Sequence, residues 1–128
     1  MFLQNRTILV VDDDVDICDF CTLVLTREGA DVLCASAVED GFRLAETRHP
    51  DLAVLDIIME EADSGFKLAT RLAEAFPNLP IIMLSSIAEV SSQVFDTSTL
   101  PIRELIEKPM KPDHFLKVVR RILEGAPK

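Results

Sequence analysis

Four groups of polar residues in this 128-residue sequence each stand where a short apolar run ends. The groups are Asp12-Asp13-Asp14, Asp56, Ser85-Ser86 and Lys108. Carboxylates bind divalent cations, while hydroxyl and ammonium groups bind the oxygens of a phosphoryl group. Such chemistry requires a fold that brings all four segments to one place.

Short apolar runs rich in β-branched residues are typical of strands buried on both faces of a sheet. Five are present, with a weaker pattern in the last: Thr7–Val11, Asp31–Ala35, Leu52–Asp56, Pro80–Leu84 and Glu104–Lys108. Helices are predicted between and after them, from the Asp14 cap to Glu28, from about Val38 to Thr47, from just after Ser64 to about Phe76, and from Pro112 to Glu124. A fourth helix within Ile87–Ile102 is expected to be short or distorted, because this segment is rich in Ser and Thr and contains Pro101.

The alternation of strands and helices predicts an α/β fold. We expect a doubly wound, five-stranded parallel sheet flanked by five helices, formed by residues 1–128 as a single domain. Ligands of such sheets bind beyond the carboxyl ends of the strands. All four polar groups would therefore lie at the same edge.

Three or more carboxylates at one edge repel one another unless a cation lies among them. Oxygen ligands with room for water suit Mg²⁺, which commonly shares a phosphate with the protein. A carboxylate can also attack a phosphoryl group, and a lysine and a hydroxyl would then stabilise its oxygens. Taken singly, the acidic run could be a helix cap, the serines turn residues, and Lys108 a surface lysine.

Composition excludes several classes of protein. A net charge of −9 disfavours contact with nucleic acid or an anionic membrane, and no apolar run has the length of a membrane span. No signal-peptide pattern is seen, so we expect a cytoplasmic location. The three cysteines fit a reducing compartment, and the Cys18-x-x-Cys21 pair is interpreted as core packing.

The order and spacing of "ILVVDDD", "DLAVLD", "PIIMLSS" and "EKPMKP" resemble the receiver domain of bacterial two-component response regulators. The resemblance implies a flavodoxin-like receiver fold and a role in phosphorelay signalling, as a signalling module and not an enzyme. It also implies a histidine kinase or histidine phosphotransfer protein as partner. Its output face would be formed by the fourth helix, fifth strand and fifth helix.

The same resemblance implies a Mg²⁺ site. Asp13 and Asp56 would bind the metal directly, together with the backbone carbonyl of Ile58. Asp12 would act through a metal-bound water.

The resemblance further implies the phosphoryl chemistry. Asp56 would be the phosphoacceptor, Lys108 would pair with the phosphoryl group, and Ser85 would be the switch hydroxyl. Asp14 fits a helix cap better than a metal ligand.

Three features depart from the family pattern. Met59-Glu60-Glu61 replaces the usual Met-Pro-Gly, and Gly65 lies one residue late. Leu105 stands where an aromatic switch residue is usual, and the segment before the fifth strand is atypical. The last of these departures predicts a changed partner or output, because the family signals through the face formed by the fourth helix, fifth strand and fifth helix.

Three alternatives remain open from the sequence. A Mg²⁺-dependent aspartyl-phosphate phosphatase would use an Asp after the first strand and a second Asp two residues later, a spacing that Asp12 and Asp14 have. A flavodoxin-like cofactor binder is disfavoured, because three aspartates after that strand would repel a phosphate. A degenerate receiver would fold but never be phosphorylated.

Overall fold

The structure, a computed structural model, describes residues 2–57, 59, 64–86 and 102–125. The elements in chain order are β1 (Thr7–Val11), α1 (Val15–Thr26), β2 (Asp31–Ala35), α2 (Val38–Arg48), β3 (Leu52–Asp56), α3 (Ser64–Ala75), β4 (Ile81–Ser86), β5 (Glu104–Lys108) and α4 (Pro112–Gly125). All strand pairs are parallel, in the order β2-β1-β3-β4-β5. The predicted five-stranded parallel sheet is confirmed, and α4 is the fifth of the predicted helices.

Side chains alternate across the sheet, and each face has its own core. Ile8 and Val10 of β1 contribute to the core against α1 and α4. Leu9 and Val11 contribute to the opposite core, against α2 and α3. Both faces are covered, so the central strands are continuously apolar, as the sequence predicts.

The first helix begins as predicted and ends earlier. The Asp14 carboxylate accepts a hydrogen bond from the Asp16 N–H at 2.9 Å and caps α1. The helix ends at Thr26 because the chain tightens into a turn, where Gly29 adopts the left-handed region with φ of +98°. The prediction placed this end two residues too late, at Glu28.

The strand before the predicted fourth helix is longer than its apolar run. β4 continues through Ser86 because Ser85 and Ser86 pair in register with Glu107 and Lys108 of β5. The predicted short fourth helix within 87–102 lies outside the described residues, apart from Ile102. None of the helices in the described ranges is long and apolar enough to cross a membrane.

The C-x-x-C pair lies on α1, facing the core. Cys21 is completely buried, and Cys18 packs partly buried against the same cluster. Burial raises the pKa of Cys18 to about 12 and also raises the pKa of Cys21. Both thiols are free, and their packing agrees with the interpretation made from the sequence.

Candidate functional site

The carboxyl ends of three strands place charged side chains in contact. Lys108, the last residue of β5, puts its Nζ 3.1 Å from Asp12 Oδ2 and 3.2 Å from Asp56 Oδ1. Asp12 follows β1, and Asp56 is the last residue of β3. One ammonium group therefore bridges two carboxylates that are 44 residues apart in the sequence.

Three oxygens in this region are buried without a hydrogen-bond partner among the described residues. They are Asp12 Oδ2, Asp56 Oδ1 and Ser85 Oγ. Two of them, Asp12 Oδ2 and Asp56 Oδ1, lie at ion-pair distance from Lys108 Nζ. Buried polar atoms nearly always have hydrogen-bond partners, so three such oxygens at one edge, two of them facing only the Lys108 ammonium, indicate a place built for a ligand.

The acidic residues form a cluster of the kind that binds a cation. Carboxylate oxygens of Asp12, Asp13 and Asp56 all lie within 4.8 Å of one another. Asp13 is exposed, while the other two are buried, so an ion here would keep bound water on its open side. This donor set fits Mg²⁺, which prefers carboxylate and water oxygens. The carbonyl of Ile58, expected as a further ligand, lies outside the described residues.

The backbone after β1 holds the Asp12 side chain in place. Its Oδ1 accepts a hydrogen bond from the Asp14 N–H at 2.9 Å, which turns Oδ2 toward Lys108. Asp14 itself is exposed and caps α1, so its carboxylate is used away from this cluster. The pairing of Asp12 with Asp14 required by the phosphatase alternative therefore gains no support from the structure.

Burial and charge oppose each other at Asp56. Loss of water, with the nearby Asp12 carboxylate, raises the pKa of Asp56 to about 7, although Lys108 acts in the other direction. Burial lowers the pKa of Lys108, but the attraction of the two carboxylates outweighs it and the net change is upward. In the absence of a cation, the positive charge of Lys108 thus only partly offsets the negative charges of Asp12 and Asp56.

The raised pKa of Asp56 predicts a pH dependence of stability in the absence of divalent cations. The folded protein holds this proton more tightly than the unfolded chain, so its contribution to stability is full below about pH 4 and is lost as pH rises to about 7. The Asp56→Asn variant cannot lose this proton. We therefore expect its melting temperature, measured in a chelator, to exceed that of the wild type by several degrees at pH 8 and by much less at pH 4.

Added Mg²⁺ is the control, because it should stabilise the wild type more than Asp56→Asn and narrow the difference at pH 8. If the difference in melting temperature between Asp56→Asn and the wild type stayed constant from pH 4 to 8, the raised pKa of Asp56 would be contradicted.

Gly65 lies directly against the backbone that carries Asp56. Its N–H donates to the Ile57 carbonyl at 2.8 Å. A Cβ at this position would overlap the Asp56 carbonyl oxygen and lie 2.7 Å from Ile57 Cα. The start of α3 is therefore packed on the end of β3, and only glycine allows this approach. Sequence reasoning noted the shifted position of Gly65 and missed this contact.

Two departures from the family pattern flank this site. Leu105 of β5 is partly buried and packs against the core on the α2 and α3 side of the sheet. Met59 is buried in the same core, whereas Glu60 and Glu61 lie outside the described residues. The structure therefore describes Leu105, which replaces the usual aromatic residue. It does not describe Glu60 and Glu61, which replace the usual Pro-Gly.

A family model described as the response regulator receiver domain matches residues 8–120. The chain belongs to the response regulator receiver family. Receiver domains are the signalling modules of two-component systems; they work with histidine kinases and generally use Mg²⁺ at an acidic site. The membership proposed from the four sequence motifs is confirmed.

Curated relatives of this receiver domain are regulators of about twice its length. The chain is 34% identical over 120 residues to the alkaline phosphatase synthesis transcriptional regulatory protein PhoP of Bacillus subtilis, covering 94% of this chain and 49% of PhoP. It is 33% identical to the response regulator GtcR of Aneurinibacillus migulanus, covering 93% of this chain and 47% of GtcR. The chain thus spans about half the length of the curated relatives it matches.

Solved receiver structures share the fold throughout. The receiver domain of NtrX from Brucella abortus has 32% identity and a TM-score of 0.84, covering 93% of this chain and 99% of that one. A CheY-like receiver domain protein from Methanospirillum hungatei has 28% identity and a TM-score of 0.83, covering 94% of each chain. The predicted receiver fold is confirmed by these similarities.

Proposed function

We propose that Asp56 accepts a phosphoryl group from a phosphohistidine of a partner histidine kinase or histidine phosphotransfer protein. One observation carries this proposal: Asp56 Oδ1 is buried, lacks a hydrogen-bond partner among the described residues, and lies 3.2 Å from Lys108 Nζ beside two further carboxylates. The domain, residues 1–128, would act as a signalling module and not as an enzyme with turnover on other substrates.

In the proposed step, a carboxylate oxygen of Asp56 attacks phosphorus as the bond from phosphorus to the imidazole nitrogen breaks. Asp13 and Asp56 would hold Mg²⁺ directly, and Asp12 would act through water. When bound, Mg²⁺ would offset negative charge on the phosphoryl oxygens. Lys108 would attract an oxygen of the incoming group, because its ammonium lies 3.2 Å from Asp56 Oδ1.

Ser85 would be the switch residue that responds to phosphorylation of Asp56. Its hydroxyl is completely buried in β4, next to β3, and has no partner among the described residues. We infer that it donates to a phosphoryl oxygen on Asp56. Because Leu105 replaces the usual aromatic residue, β5 would respond through aliphatic packing and not through rotation of a ring.

The output would be read by a protein partner, on the face that includes β5 and α4. The net charge of −9 argues against direct contact of this domain with nucleic acid or with anionic membranes. A cytoplasmic location, where histidine kinases present their phosphohistidine, is part of this proposal.

The direct test is incubation of the purified chain with acetyl phosphate and Mg²⁺, followed by intact mass measurement. A single phosphoryl adduct supports the proposal. Absence of an adduct, under conditions that label an ordinary receiver, would favour a degenerate receiver.

Lys108→Gln should slow labelling by about tenfold to a hundredfold, because it removes a positive charge aimed at the phosphoryl oxygens. The rate is measured from the adduct fraction over time at a fixed concentration of acetyl phosphate. Lys111→Gln is the matched control, since Lys111 is exposed three residues away. Equal rates for Lys108→Gln and the wild type would show that this ammonium does not act on the phosphoryl group.

A further inference from the structure

Cysteines from two elements meet between α1 and β2. Cys34 of β2 places its Sγ 4.0 Å from the carbonyl oxygen of Cys18 and 3.5 Å from Thr22 Oγ1. Cys18 and Thr22 lie one turn apart on α1, so the Cys34 side chain rests against a single turn of that helix. The Cys34 thiol thus lies close to the backbone of the residue that carries the second thiol, Cys18.

The two thiols differ in access to solvent. Cys34 is exposed on β2, which is at one edge of the sheet, whereas Cys18 is partly buried beneath it. Cys21 is fully enclosed in the core. A small oxidant arriving from solvent therefore reaches Cys34 first and finds Cys18 beside it.

We propose that Cys34 and Cys18 form a disulfide in response to a hydroperoxide, which makes the contact between α1 and β2 an oxidation site. The Cys34 thiolate attacks the peroxide and the O–O bond breaks, which forms a sulfenic acid. The hydroxide that leaves takes up the proton lost from the Cys34 thiol and becomes water. The Cys18 sulfur then attacks the Cys34 sulfur, the S–O bond breaks, and hydroxide leaves with the thiol proton as a second water. The dithiol loses two electrons and hydrogen peroxide gains them.

The proposed disulfide joins Cys18 to Cys34, whereas the C-x-x-C spacing would suggest a bond between Cys18 and Cys21. Cys18 Sγ points toward the end of β1 and donates to the Asp12 carbonyl at 3.6 Å, while Cys21 points into the core cluster. Cys34 is adjacent only through the tertiary structure, because it is 16 residues from Cys18 in sequence.

Bond formation needs modest movement. The two sulfurs must come within about 2.05 Å of each other, which requires rotation of both side chains. Cys18 would give up its hydrogen bond to the Asp12 carbonyl. Because Cys18 is partly buried and must break this hydrogen bond, we expect this second step to be slow, over minutes to hours.

The test is treatment of the folded 128-residue chain with hydrogen peroxide, alkylation of the remaining thiols, and tryptic peptide mapping without reduction. Cleavage after Arg6, Arg27 and Arg43 places Cys18 and Cys21 in one peptide and Cys34 in the next. We expect these two peptides to be linked in the wild type and in Cys21→Ala. Cys18→Ser should reduce the linked product at least tenfold.

Two further measurements distinguish a disulfide that the folded structure favours from random disulfide formation among the cysteines. Intact mass should show a monomer that has lost two hydrogens, and a dominant dimer linked through Cys34 would overturn the proposal. In urea, Cys18 and Cys21 should link to Cys34 in comparable amounts, because their loop lengths are nearly equal. Persistence of the linked peptides in folded Cys18→Ser would also overturn the disulfide proposal. So would further oxidation of Cys34 in the folded wild type with no linked peptides formed.

Discussion

Asp56→Asn is expected to abolish the phosphoryl adduct formed from acetyl phosphate and Mg²⁺. The amide keeps the shape of the side chain but lacks the anionic oxygen that attacks phosphorus. It also removes one of the carboxylates from the acidic cluster, so both the nucleophile and part of the cation site are lost. Intact mass measured over an hour should show a single adduct on the wild type and less than about one hundredth of it on the variant.

Asp51→Asn is the matched control for this experiment. Asp51 immediately precedes β3, at the end opposite to Asp56, and its carboxylate accepts the Thr7 N–H at 2.8 Å. The amide oxygen of Asn can accept the same bond, so the variant should fold and take up the label as the wild type does. If Asp56→Asn still formed the adduct and another aspartate variant did not, that other aspartate would be the phosphoacceptor.

Gly65→Ala is expected to destabilise the protein by about 3 kcal/mol or more. Its Cβ would overlap the Asp56 carbonyl oxygen, and the nearest atoms that it would meet, in Asp56 and Ile57, are all backbone atoms. Relief requires α3 to move away from the end of β3, which would also break the hydrogen bond from the Gly65 N–H to the Ile57 carbonyl. Such a loss is a large share of the 5–15 kcal/mol that stabilises a typical domain.

Gly125→Ala is the control, because a Cβ at this position, at the end of α4, meets no atom within 4 Å. We expect its effect to stay within about 0.5 kcal/mol. Unfolding is best followed by far-ultraviolet circular dichroism in urea, since the chain contains no Trp and no Tyr. Equal stability of the two variants would show that the start of α3 is not constrained by this contact.

Much of the fold could be predicted from patterns along the chain. Five apolar runs alternating with helices specify a parallel sheet, because such strands must be covered on both faces and crossover connections have one preferred hand. The Asp14 cap and the start of α4 at Pro112 were predicted from local chemistry. The ends of elements were less accurate: α1 ends before Glu28 and β4 continues past Leu84, since turn geometry and strand pairing decide those ends.

Topology also placed the charged residues at one edge before their distances were known. The structure adds how they meet: Lys108 contacts both Asp12 and Asp56, and Ser85 is buried without a partner among the described residues. These facts depend on side-chain directions and on burial, which a strand pattern does not specify. The roles assigned to these residues stay predictions until labelling is measured.

By itself, the sequence determined the family, the sheet and the edge at which the candidate site lies, because motif order and strand periodicity are properties of the chain. Tertiary structure alone decided two contacts. Gly65 lies against the carbonyl of Asp56, and Cys34 lies against Cys18. Both depend on how closely one packed element approaches another, and that distance is set by all the side chains between them.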